Sequence, residues 1–132
     1  MGDIDLLAVI LGALAFFVVG MVWYGALFGK VWQREAGLTE EQMAGGNMAV
    51  IFGLCFLFEL LIALTLGHQF ARSEPSTQAI MMISVGYAIG LMIPAIGINY
   101  LFQRRSGTLF AIDAGHFLVG MAAMGAVFVW LR

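Results

Sequence analysis

Four long apolar runs separated by short polar breaks constrain this chain more than any other feature. They cover residues 6–28, 47–70, 78–102 and 109–131. A helix needs about 20 mostly apolar residues to cross a bilayer. Inside hydrocarbon, every backbone polar group must be satisfied within the structure. All four runs meet that length. A membrane β-barrel would show alternating segments of about 10 residues, and these runs are too long and too evenly apolar. The expectation is an all-α, single-domain integral membrane four-helix bundle with short loops. Composition agrees: 62% of residues are hydrophobic and 11% charged, against roughly half and a quarter in soluble domains.

Several function classes drop out. The net charge of −2 comes from six Lys+Arg against eight Asp+Glu, with no basic run to hold nucleic acid. The one cysteine, Cys55, lies inside an apolar run, and CxxC metal spacing is absent. Asp3 and Asp5 precede the first run where a signal peptide would carry basic residues, so it reads as a retained span. Glycine-rich nucleotide loops, nucleophile elbows and HExxH are absent too.

The longest connection, residues 29–46, carries Lys30, Arg34, Glu35, Glu40 and Glu41. Within it Thr39 and Gln42 have capping-box spacing, and Leu38 can staple to Met43. The simplest expectation is that the helix of the second span starts early here. Lys30, Arg34, Arg104 and Arg105 outnumber Arg72 and Arg132 on the opposite side. That bias puts the first and third loops in the cytoplasm and both termini in the periplasm.

Lipid tails are as apolar as leucine, so close packing and interhelical hydrogen bonds must hold the spans together. Gly86 and Gly90, Gly25 and Gly29, and the series Ala111, Gly115, Ala122, Ala126 are the expected contact faces. Packing within one bundle is the simplest use of them.

Glu59 is the sharpest polar feature. It lies about 12 residues into its run, about 18 Å along the helix axis. A charged acid near mid-membrane costs roughly 2.5–3.5 kcal/mol on insertion scales, which favours the neutral carboxyl. Such an acid is a proton or cation site, the anchor of a ligand pocket, or a neutral hydrogen-bonding group. Pro94 leaves the carbonyl of Gly90 without its helical donor, so Gly90 is an expected partner for Glu59. Asp113 and His116, at i, i+3, share a face of the fourth span near its start. Asn99 and Tyr100 end the third span on the same side. Trp23, Tyr24, Lys30 and Trp32 mark the end of the first span there, and Asn47 starts the second. One expectation is a head-group, quinone or small-ligand site; the plainer one is an interfacial aromatic belt for Trp23, Tyr24 and Trp32. A hydrogen bond between Asp113 and His116 is the plain expectation for that pair. Glu59, Asp113 and His116 make a thin ligand set at unequal depths, so no metal is expected.

The stretch Trp23-Tyr24-Gly25-Ala26-Leu27-Phe28-Gly29-Lys30-Val31-Trp32 resembles the signature of a family of small bacterial membrane proteins classed as a domain of unknown function. Gly37-Leu38-Thr39-Glu40-Glu41 and the span start at Asn47 fit as well. The family commonly has proline where this chain has Ala26. The resemblance covers essentially the whole chain. It implies four helices in the bacterial inner membrane and brings no established activity.

Three functions compete. The first is a non-enzymatic membrane protein, a homo-oligomer or an accessory subunit of a larger complex, since short loops leave little soluble surface for chemistry. The second is a small oligomeric transporter exchanging protons at Glu59. Small proton-coupled exporters have this length but keep their acid in the first span, which here has none. The third is a lipid- or quinone-binding protein, or an enzyme using Asp113 and His116. Any function is expected between the second, third and fourth spans.

Overall fold

The structure is a computed structural model that describes residues 3–132. Helix α1 (Leu6–Val22) runs straight into a π-helical turn, Trp23–Leu27. Two short helices follow, α2 (Gly29–Ala36) and α3 (Glu40–Gly45), then the long α4 (Met48–Ser73). Helix α5 (Thr77–Tyr87) continues through a second π-helical turn, Ala88–Met92, into α6 (Ile93–Phe102), and α7 (Gly107–Leu131) closes the chain. The described residues contain no strand. Four stretches are long and apolar enough to cross a membrane: Leu6–Leu27, Met48–Ser73, Thr77–Phe102 and Gly107–Leu131. The fold is an all-α, four-helix membrane bundle. Asp5, Asn47, Ser76 and Ser106 each cap the start of a span by accepting a backbone N–H from the first turn.

The first loop is more structured than expected. The Thr39–Gln42 capping box forms in full, but it opens a separate helix rather than an early start to α4. Gly46 is extended and Asn47 begins a fresh cap, so the chain breaks there. Gly37 ends α2 at φ 74°, a left-handed cap that glycine adopts without steric cost.

The second and third spans share no extensive packing, and the Tyr87–Gln69 hydrogen bond links them. Helix α1 packs most extensively on α7 and on α4, while α5 and α6 pack on α7. The spatial order is therefore second span, first, fourth, third. Glycines of α7 seat side chains of its neighbours. A Cβ at Gly120 would come within 2.8 Å of the Phe16 ring, and one at Gly125 within 2.7 Å of Ser84 Oγ. Across α1 and α4, Gly67 sits against Val9, and Phe17 makes T-shaped contacts with Phe52 and Phe56 at 5.9 Å each.

This packing uses only some of the small residues expected, Gly115 among them. Ala111 and Ala126 are exposed; Gly115 and Gly120 receive Trp23 and Phe16 of the first span, while Gly125 receives Ser84 of α5. Gly86 and Gly90 are exposed, with nothing near where a Cβ would lie, and Gly25 is likewise open. The third span turns its other side, Ile80, Ser84 and Ala88, to α7.

The bundle is also uneven along its length. Near the termini, Tyr87 donates a hydrogen bond to Gln69, Phe70 meets Phe128 at 5.2 Å, and Arg132 donates to Thr77 at 2.9 Å. Toward the opposite end no residue from Met48 to Phe58 is buried, and none from Ile93 to Phe102.

Candidate functional site

Both π-helical turns fall where the chain has polar or kinking residues. In the first, Phe28 N–H donates to Trp23 C=O at 2.8 Å, five residues back. The widened turn leaves no room beyond it: a Cβ at Gly29 would lie 2.2 Å from the Tyr24 carbonyl oxygen. Glycine at that position of the signature is thus a packing requirement. The second turn immediately precedes Pro94, with Ile93 N–H donating to Ala88 C=O. Such local adjustment is how membrane helices accommodate a proline.

The first turn aims Trp23 and Tyr24 at α7. Trp23 Nε1–H donates to the Ile112 carbonyl at 2.9 Å, and its ring lies over Gly115. Tyr24 O–H donates to Asp113 Oδ1, and Tyr100 O–H, from α6, donates to Oδ2. Asp113 is buried. One carboxyl group thus joins three spans. Both carboxyl oxygens are used, each by a phenol from a different span.

His116 lies one turn further along the same face. Its ring is walled by Tyr24 at 4.9 Å, Phe16 at 5.2 Å and Phe117 at 5.2 Å. Nε2 is buried with no hydrogen-bond partner, 3.1 Å from where a Cβ of Gly20 would be. The expected Asp113–His116 hydrogen bond is not made. The two tyrosines occupy the carboxylate, and the imidazole instead turns Nε2 to the glycine of α1.

Glu59 is 8% exposed, and its Oε1 is buried without a partner. It belongs to the stripe Phe52, Phe56, Glu59, Ala63, Gly67, Phe70, spaced three or four residues apart on one face of α4. That stripe faces α1. Gly90 and Pro94 lie on the exposed face of the third span, so no hydrogen bond joins Glu59 to Gly90.

The remaining residues fall around this frame. Trp32 sits edge-on to Tyr24 at 5.6 Å. Lys30 and Asn99 are exposed. The belt expected of Trp23 and Tyr24 gives way to inward hydrogen bonds, because the π-helical turn rotates both side chains onto α7. The polar cluster accordingly joins the first, third and fourth spans, whereas the second, third and fourth were expected. Among the described residues no three His, Cys, Asp or Glu side chains come together as a metal site. Sequence reasoning missed the tyrosine pairing and the aromatic walls of His116. The available signal was that Tyr24, Tyr100 and Asp113 all lie at span ends on one side of the bundle.

Fold and site define a membrane-spanning four-helix bundle clasped near one end by a buried carboxylate. Residues 7–129 match the family described as protein of unknown function (DUF1761), and the chain belongs to that family. No curated protein and no solved structure matches it.

Proposed function

We propose that the chain is a non-enzymatic membrane protein that works as a homo-oligomer or as a subunit of a larger membrane complex, in the bacterial inner membrane. The open face of the third span carries this reading. Gly86 and Gly90 are spaced for close helix approach, yet nothing in their own bundle packs on them. Glycine inside a helix costs about 1 kcal/mol relative to alanine, and a face of two such residues repays that cost when another helix comes near. An Asp113 carboxyl holding one phenol on each oxygen suits a clasp between spans better than a reacting group. The test is donor–acceptor energy transfer between labelled copies in liposomes, diluted with lipid. The reading expects transfer that survives dilution and is lost in Gly86→Ile/Gly90→Ile. A monomer at all dilutions, with no co-purifying partner from native membrane, would overturn it.

A second reading, a small proton-coupled transporter, is favoured by Glu59. An intramembrane acid is expensive, and buried polar atoms are normally paired. Glu59 Oε1 and His116 Nε2 are the two buried side-chain atoms without partners among the described residues. A proton is the smallest partner an acid can take. Proton-driven flux in liposomes that is abolished by Glu59→Gln supports this reading, and unchanged coupled flux excludes it. Retained lipid or quinone in the purified protein would favour a binding function instead.

A further inference from the structure

Helix α4 is held in two unequal halves, and Glu59 marks the boundary between them. Beyond it, Ala63, Leu66, Gly67 and Phe70 are buried, and the Gln69–Tyr87 hydrogen bond and the Phe70–Phe128 contact fix that half to two other spans. Before it, the half from Met48 to Phe58 has no buried residue, and the ring of Phe17 on Phe52 and Phe56 is its main attachment. Glu59 is the first buried residue of the helix.

The surroundings of the carboxyl follow from register. Val9 lies at Gly67 and Phe17 at Phe52 and Phe56. Glu59 therefore falls opposite the stretch of α1 around Ala13 and Phe16, both fully buried. Helix α1 carries no titratable side chain from Leu6 to Val22. Phe16 seats on Gly120 and Gly12 lies against Met124, so α7 meets this level with Gly120, Met121 and Met124. The titratable groups of α7, Asp113 and His116, lie nearer the loop end and face Tyr24, Tyr100 and Phe16. On α4 itself, Cys55 one turn earlier and His68 beyond are exposed. No cation faces Glu59 among the described residues.

We infer that a proton on Glu59 controls whether the Met48–Phe58 half of α4 stays docked on α1. With the proton bound, a neutral carboxyl fits an apolar contact. Without it, a carboxylate would sit opposite Ala13 and Phe16 with no counter-charge, which buried charges do not tolerate. The weakly held half can lean away from α1 and open the carboxyl to water. The apolar contact admits the neutral carboxyl and excludes the charged one, so acid favours docking and rising pH favours release. Helix α4 is continuous through Glu59, so release is a lean of the helix away from α1, without a break at that turn. The inference deepens the proton-site reading of Glu59 and does not require transport.

The test uses the native Cys55, exposed and one turn from Glu59. A spin label there, on the full chain in phosphatidylcholine/phosphatidylglycerol liposomes, reports collisions with a water-soluble nickel chelate from acidic to alkaline buffer. The inference expects accessibility to rise with pH in the wild type. That rise is lost in Glu59→Gln, which stays docked, and kept in His116→Gln. A flat profile in the wild type, or the same rise in Glu59→Gln, overturns it. Should Glu59→Gln not fold, hydrogen exchange over residues 48–58 of the wild type decides: intrinsic-rate-corrected protection unchanged with pH overturns the inference. A pH-driven movement without flux rules out the transporter and leaves the proton-controlled release. Flux without movement does the reverse.

Discussion

Gly115 has no side chain where the indole of Trp23 lies, and a Cβ there would come within 2.7 Å of Trp23 Cζ2. The ring is also tied to the Ile112 carbonyl, so it cannot retreat without giving up that hydrogen bond. Gly115→Ala is expected to lower stability by about 1–3 kcal/mol, the range for overpacking a well-filled site. Thermal unfolding in detergent measures it. Trp23→Phe combined with Gly115→Ala should recover part of the loss, since the smaller ring gives the methyl room.

The Asp113 clasp predicts coupling. Tyr24→Phe and Tyr100→Phe each remove one donor to the carboxylate, and each should cost about 0.6 kcal/mol and at most about 1.7, as measured for hydrogen bonds between membrane helices. Asp113→Ala strands both phenols and should cost more than either. A double-mutant cycle between Tyr24→Phe and Asp113→Ala is the direct measurement. Simple additivity would show that the hydrogen bond contributes nothing.

Glu59 predicts a conflict between stability and function. Glu59→Leu replaces an unpartnered acid in an apolar contact with a side chain that suits it. Burying an unpaired polar group costs about 1–3 kcal/mol on protein scales, so the variant should be more stable than wild type by up to that amount. It should also lose any proton-dependent behaviour. Chemical unfolding in mixed micelles gives the first number. A destabilised Glu59→Leu would mean the carboxyl has a partner in the membrane.

Gly29 predicts intolerance. A methyl at this position meets backbone, not a flexible side chain, at 2.2 Å from the Tyr24 carbonyl. Gly29→Ala must therefore open the π-helical turn and re-aim Trp23 and Tyr24. Expected outcomes are reduced yield of folded protein and a changed tryptophan emission maximum. Gly25→Ala, with open space around it, should be mild and serves as the control.

The four spans were legible in the sequence because length and apolarity alone decide whether a helix can cross a bilayer. The Thr39 cap was legible because it is local. Partner choice was not. Glu59 looked available to Gly90 because both lie in mid-span, but span order decided otherwise, placing α4 on α1 and Gly90 on an outer face. Trp23 and Tyr24 at a span end suit a belt equally well on composition. Only the extra residue of the π-helical turn directs them inward, and nothing in residue type announces that turn. Asp113 was singled out as an acid, but its two phenol partners lie 89 and 13 residues away in sequence.

The adjacency of the first and fourth spans also has a consequence for biogenesis. Span one is threaded into the bilayer early, and its main neighbour is the last of the four to be synthesised. Until then Tyr24 has no acid to bind and Phe16 no glycine to rest on, so the early helices wait in lipid without their final contacts. A nascent chain stalled before residue 107 would expose this unfinished surface to membrane proteases. A ribosome-arrested series, cut at successive lengths and scored for proteolysis, should show resistance arriving in one step when α7 enters rather than helix by helix.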